Sequence, residues 1–181
     1  MIEKWKTIDS KFLGNYKIFD LYKKTREHPK TGKSSDFTVL LAKDWVNIIP
    51  ITVNKEIILV EQFRHGADEI TLEIPAGIME ENENPQEAAQ RECVEETGYI
   101  GKSEAFFIGK SRTNPAFLNN YCYHYLWLEC ELKQEQKLDE NEDIKIAKIP
   151  LSKIKNYIAE NKIEHSLAIA AFYHFFINHN F

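Results

Sequence analysis

Residues 77–99 read GIMEENENPQEAAQRECVEETGY, a loop followed by a helix and its stop. Asn84 has the side chain of an N-cap, Pro85 suits the first helical position, and Glu87 stands where a capping box places its acid. Gly98 supplies the stop. On that helix Glu92, Glu95 and Glu96 fall within an arc of about 100°. Like charges stacked on one helical face destabilise it by a few tenths of a kcal/mol per pair. Anions near a helix C-terminus also oppose the macrodipole. Hard oxygen donors gathered against both penalties suit Mg²⁺ or Mn²⁺, and Mg²⁺ brings phosphates and water with it. For an isolated E-x-x-E-E run, a solvated acidic face is the plainer alternative.

Working outward, residues 15–27 and 36–41 are strand-like runs on either side of the turn cluster His28-Pro29-Lys30-Thr31-Gly32-Lys33. Residues 1–42 therefore read as a small N-terminal β-hairpin region, too short to bury a core alone. Runs 45–53 and 56–63 flank Asn54-Lys55, a good turn site. Pro50 lacks a ladder donor, which predicts that the first run is irregular or at a sheet edge. Residues 71–74 form a short strand ending at Pro75-Ala76-Gly77. Beyond the helix come strands at 105–108 and 121–132. The second alternates, with Tyr121, Tyr123, Tyr125 and Trp127 on one face and Cys122, His124, Leu126 and Leu128 on the other. A last strand at 144–149 precedes a short helix marked by Ile154, Tyr157 and Ile158, and another at 167–177. Strands with three separated helices predict an α+β fold, a mixed sheet covered by helices.

At ~100–200 residues per domain, 181 residues make one domain with a small appendage. A chain 43% hydrophobic and 28% charged supports a real core and excludes global disorder. Twenty-three Lys and Arg against 28 Asp and Glu give a net charge of -5. With a pI near 5.7 this is no nucleic-acid binder, whose domain pI is typically above ~9. Cys93, Cys122 and Cys130 form no C-x-x-C pair, so neither a disulfide framework nor a cysteine zinc site is signalled. MIEKWKTIDS lacks the apolar core of a secretion signal. The apolar stretch 167–177, interrupted by His174, is shorter than the ~18 residues of a membrane span. The expectation is a soluble, cytoplasmic protein with neither a nucleic-acid nor a membrane partner.

The residues around the carboxylates sharpen this. Gly77, Glu83, Arg91-Glu92, Glu95-Glu96 and Gly98 follow the pattern G-x5-E-x7-R-E-U-x-E-E-x-G-U, where U is apolar. Cys93 and Tyr99 are mild departures at the apolar positions. The stretch resembles the Nudix box. EIPAG at 73–77, EQFR at 61–64 and the downstream Pro115 are similar to the ADP-ribose and nucleoside-diphosphate-sugar pyrophosphatase branch. Asp44-Trp45-Val46-Asn47, Asn114-Pro115-Ala116 and Asn119-Asn120 resemble a bacterial sugar-nucleotide-hydrolysing subgroup. Similarity runs from about residue 44 to residue 165, and the N-terminal hairpin matches in size and position only. The resemblance implies a Nudix-type α/β/α sandwich over residues 43–181. In similar enzymes the N-terminal region joins a homodimer and contributes to the partner's base pocket.

It also implies roles. Glu92 and Glu96 become metal ligands, Glu95 a third ligand or the group that orients them, and the carbonyl of Ala76 a further ligand for Mg²⁺ or Mn²⁺. Arg91, four residues before Glu95, pairs with it and joins the catalytic set. Glu83 closes the loop before the helix. The cluster Asp139-Glu140-Asn141-Glu142-Asp143 lacks the register of an EF-hand. It resembles the mobile loop that supplies the base in ADP-ribose pyrophosphatases, with Glu140 as base and Glu142 as an added ligand, or the two exchanged. Arg64 is the diphosphate clamp, since a guanidinium meets phosphate bidentately. Glu73 joins it in the substrate-binding set, with Trp45 as a weaker stacking candidate. His65, His124 and His165 have no metal-ligand spacing and read as polar contacts.

The reaction implied is metal-dependent hydrolysis of the pyrophosphate of ADP-ribose or another sugar nucleotide. The alternatives are a Nudix hydrolase of dinucleotides or nucleoside triphosphates, which EIPAG and Pro115 argue against, and a non-catalytic sensing module. The intact box carboxylates argue against the latter.

Overall fold

Three N-terminal strands, β1 (Lys6–Asn15), β2 (Phe19–Glu27) and β3 (Ser34–Ala42), form an antiparallel sheet in a computed structural model that describes residues 1–178. The expected hairpin is β2 and β3; the third strand, β1, is an addition. Irregularities between Thr7 and Asp9 and between Phe12 and Gly14 break its register with β2. A bulged strand loses the period-two alternation by which strands are recognised. Residues 112–121 complete this unit. Leu40 N–H bonds the Phe117 carbonyl at 2.8 Å, and Asn119 Oδ1 accepts from the Ala42 N–H at 2.7 Å. Asn120 donates to the Lys43 carbonyl at 2.9 Å, and Asp44 accepts from the Tyr121 N–H at 2.8 Å.

The second unit contains β4 (Trp45–Thr52), β5 (Glu56–Arg64), β6 (Glu69–Glu73), β7 (Ala76–Ile78), α1 (Pro85–Thr97), β8 (Tyr99–Ile100) and most of β9 (Phe106–Arg112) and β10 (Tyr121–Leu132). It ends with β11 (Ile144–Pro150), α2 (Ile154–Ala159) and α3 (Ser166–Asn178). The sheet runs β11-β5-β4-β10-β8, with β6 on β5, β7 on β4 and β9 on β10. β4 and β10 are parallel while β4–β7, β5–β6 and β5–β11 are antiparallel, so the sheet is mixed. Each face carries its own core. Val46, Ile48, Ile58, Tyr125 and Trp127 pack with Ala88, Ala89 and Cys93 of α1. Ile49, Ile51, Leu59 and Leu126 pack with Ile154 of α2 and Ala168, Phe172 and Phe175 of α3. This is a helix–sheet–helix sandwich.

Pro50 does not put β4 at an edge. The strand is interior, between β5 and β10. Its ladder on one side is interrupted instead: β7 pairs with Trp45–Asn47, and β5 meets it only at Ile51. Pro50 lies in that gap, where a missing donor breaks no continuous ladder. Among the described residues no helix is long and apolar enough to cross a membrane.

Candidate active site

α1 is built as its caps dictate. Asn84 accepts the Gln86 N–H at 2.9 Å, and Gly98 at φ 70 returns its N–H to Val94. Glu87 makes no return bond to Asn84 among the described residues, so the cap is Asn84 alone. Arg91 organises the acidic face. Its Nε and Nη2 meet Glu83 at 2.8 and 3.0 Å, while Nη1 meets Glu92 at 2.8 Å and Glu95 at 2.9 Å. Glu83 also accepts the Glu80 N–H, closing the loop ahead of the helix. Arg91 holds the Glu83 carboxyl below its usual range.

Glu96 is almost wholly buried and accepts the Ala76 N–H at 3.1 Å. Burial, followed by the charge of Glu92, raises its pKa well above the usual carboxylate value. Burial likewise raises Glu92 to about 7 against the pull of Arg91. Two carboxylates raised by burial, with the charge of Glu92 adding to the rise at Glu96, are a donor set suited to a cation. Gly77 faces them closely: a Cβ there would lie 2.0 Å from the Glu92 carboxyl carbon. Among the described residues no three carboxylate, imidazole or thiol groups close into a cage. An open set of donors still suits Mg²⁺, which keeps waters and takes substrate phosphates rather than an all-protein shell.

The segment after β10 is tethered to the end of α1. Gln136 Nε2 bonds the carbonyls of Glu96 and Ile144 at 2.6 and 3.1 Å, and Lys137 N–H bonds that of Glu95 at 2.8 Å. Glu142 is thereby brought within electrostatic reach of Glu92, Glu96 and Arg64. Glu140 is exposed. At the end of β5, Arg64 Nε and Nη2 fork onto Glu73 at 2.8 and 2.7 Å. Glu73 is fully buried and also accepts from Thr71 Oγ1 at 2.6 Å and meets His165 Nδ1 at 3.0 Å. It therefore touches Arg64 rather than the outside.

The NUDIX domain profile matches residues 43–170. The chain belongs to the Nudix family. An ADP-ribose pyrophosphatase of Bacillus subtilis (strain 168) is 33% identical over 151 residues, 81% of this chain and 78% of that protein. A methanol dehydrogenase activator of Bacillus methanolicus is 30% identical over 167 residues, 92% of this chain and 89% of that one. The crystal structure of an ADP compounds hydrolase superposes with a TM-score of 0.85 at 18% identity, over 96% of this chain and 93% of that one, a likeness of fold. This Nudix chain is a pyrophosphatase-type hydrolase.

In this Nudix domain the structure gathers Ala76, Arg91, Glu92, Glu95 and Glu96 around β7 and α1. Trp45 lies half-buried at the start of β4, its Nε1 enclosed and without a hydrogen-bond partner among the described residues. His165, read from the sequence as a polar contact, meets Glu73. Gln136 and Thr71 are contacts that sequence reading missed: the Glu96 partner of Gln136 lies far along the chain, and Thr71 is a neighbour of Glu73 on β6 that no motif marks. The N-terminal unit has its own pocket of about 390 Å³, with Trp5, Phe37, Pro115 and Phe117 among its walls and Lys24 and Arg26 as its cations.

Proposed function

We propose that this Nudix hydrolase splits the pyrophosphate of ADP-ribose or a closely similar nucleoside diphosphate sugar, with Mg²⁺ or Mn²⁺, to a nucleoside monophosphate and a sugar phosphate. The observation that carries the reading is the buried Glu96 beside the half-buried Glu92, the first bonded to the Ala76 N–H and the second facing Gly77, with Arg64 in the field of Glu96 and Glu142. Glu92, Glu96 and the Ala76 carbonyl hold the metal, joined by Glu142, while Arg91 orients Glu92 and Glu95. When bound, the divalent ion neutralises diphosphate charge and acidifies a water. Arg64 clamps the diphosphate with the guanidinium N–H groups that Glu73 leaves free. Glu140 takes the proton of the attacking water as its oxygen bonds phosphorus and the bridging P–O bond breaks. The reach of Glu142 toward the α1 carboxylates favours it as the ligand and leaves Glu140 as the base.

The N-terminal unit supplies the dimer surface and the base pocket in this proposal. Trp5 and Phe37 offer aromatic faces to the nucleobase of a substrate held by the partner, beside the cations Lys24 and Arg26. Its long strand β1 exposes Ile8, Phe12 and Leu13, a surface suited to a second copy. Cys93, Cys122 and Cys130 are buried and form no disulfide among the described residues, which fits a reducing compartment such as the cytoplasm. Hydrolysis assays with ADP-ribose, GDP-mannose, UDP-glucose, NADH, diadenosine polyphosphates and nucleoside triphosphates test the substrate class. Turnover should be fastest with ADP-ribose or a sugar nucleotide. Preference for a nucleoside triphosphate would overturn the assignment.

A further inference from the structure

We propose that His165 is a positioning residue for the substrate clamp: it completes the hydrogen-bond shell of Glu73 and thereby fixes the guanidinium of Arg64 in its working orientation. The inference rests on the reading of Arg64 as the diphosphate clamp, and it adds a residue that no box or lead-in motif contains.

The carboxylate of Glu73 is saturated with donors. A carboxylate has about four lone-pair sites. Oε1 of Glu73 accepts from Arg64 Nε at 2.8 Å and Thr71 Oγ1 at 2.6 Å. Oε2 accepts from Arg64 Nη2 at 2.7 Å and is met by His165 Nδ1 at 3.0 Å. All four sites are filled, in a side chain with 0% exposure. An ionised carboxylate only accepts, so the proton of the His165 ring is on Nδ1. The imidazole of His165 is 34% exposed, while Arg64 reaches outward at the end of β5, with 39% of its side chain exposed. Of its five N–H groups two are spent on Glu73, leaving 5 − 2 = 3 for a ligand.

His165 is delivered to this point by a rigid element. Its carbonyl accepts the Ile169 N–H at 3.0 Å, so it stands immediately before Ser166, at the N-terminal end of α3. Asn47 of β4 donates to the neighbouring Leu167 carbonyl at 3.0 Å, pinning that turn to the sheet. Without the imidazole, Oε2 keeps one partner and the buried carboxylate can rotate about its terminal bond. The fork between Glu73 and Arg64 then loses its fixed plane. A clamp that must be reordered on binding weakens substrate capture and leaves the chemical step alone.

The test compares His165→Ala with His165→Asn, whose Nδ2 can take the place of the ring Nδ1. Loss of one charge-assisted hydrogen bond should raise KM for the preferred pyrophosphate substrate about tenfold in His165→Ala, with kcat and Mn²⁺ affinity near wild type. His165→Asn should restore most of KM. In an Arg64→Ala background the His165→Ala change should have no further effect on KM, because its route runs through Arg64. An independent readout is the Arg64 Nε–H signal in nitrogen-resolved NMR. It should be slowly exchanging in wild type and His165→Asn, and fast or broadened in His165→Ala. Wild-type KM together with an unchanged Arg64 signal in His165→Ala would overturn the inference. So would a His165→Ala penalty that persists without Arg64, since His165 would then touch substrate itself. Wild-type protein that hydrolyses no pyrophosphate would overturn the functional reading, and the NMR comparison would still decide the positioning.

Discussion

Gly77→Ala adds one methyl group next to the proposed metal site and nowhere else. The new Cβ would stand 2.0 Å from the Glu92 carboxyl carbon, 2.1 Å from Oε1 and 2.4 Å from Oε2. Carbon atoms in contact sit about 3.5–4.0 Å apart, so the carboxylate must retreat by roughly 1.5 Å or more. That displacement breaks its 2.8 Å bond to Arg91 Nη1. It also far exceeds the ~0.2 Å within which ligand distances are held. Disturbing only the groups that orient a ligand costs about 10–100-fold in metal affinity. Gly77→Ala should therefore weaken Mn²⁺ binding by at least about tenfold. The backbone there is outside the left-handed region, and what must move is the far end of a flexible side chain. Stability should accordingly stay within ~1 kcal/mol of wild type. Gly66→Ala, where a Cβ meets nothing within 4 Å, is the control and should match wild type in both respects. Calorimetric Mn²⁺ titration and urea unfolding of the two variants read the two quantities. Wild-type Mn²⁺ affinity in Gly77→Ala would refute the assignment of Glu92 as a ligand.

Glu96→Gln should impair metal binding itself, whereas Glu140→Gln should bind metal normally and lose about 10²–10⁴-fold in kcat; calorimetry beside steady-state kinetics separates them. Near-normal kcat in both Glu140→Gln and Glu142→Gln would reduce that segment to a solvated loop. His124 is fully buried between Asn47 Oδ1 at 2.7 Å and Ser111 Oγ at 3.0 Å, and burial, then His174, lowers its pKa to about 4. The unfolded chain binds this proton first, so stability should be level above pH ~6.5 and fall by about 3 kcal/mol as pH drops toward 4. Urea midpoints against pH should show a shallower fall for His124→Gln, and an unchanged slope would refute the assignment. Sedimentation should find a species of twice 21.2 kDa; a concentration-independent monomer would refute the dimer.

The local parts of this structure were legible in the sequence because their causes are local. Asn84, Pro85 and Gly98 delimit α1 within single residues, and the alternation of β10 assigns Tyr125 and Trp127 to one core and Leu126 to the other. The four-residue step from Arg91 to Glu95 yields the bond that is observed. What stayed hidden depends on distant partners or broken periods. β1 is obscured by its bulges, and Pro50 is tolerated inside the sheet only because the ladder beside it is interrupted. Glu73 carries a charge that sequence logic places outside, yet it is buried because Thr71 of its own strand, Arg64 of β5 and His165 just before α3 converge on it. Asn119, Asn120 and Asp44 look like site residues in a motif, and each holds backbone of the N-terminal unit.

The central claim is tested most directly by incubating the full chain with ADP-ribose and Mg²⁺ and identifying the products as they form. Equal amounts of nucleoside monophosphate and sugar phosphate should form, only with divalent metal, and Glu96→Gln should abolish both. Turnover that survives excess chelator, or inorganic phosphate as the first product, would contradict it.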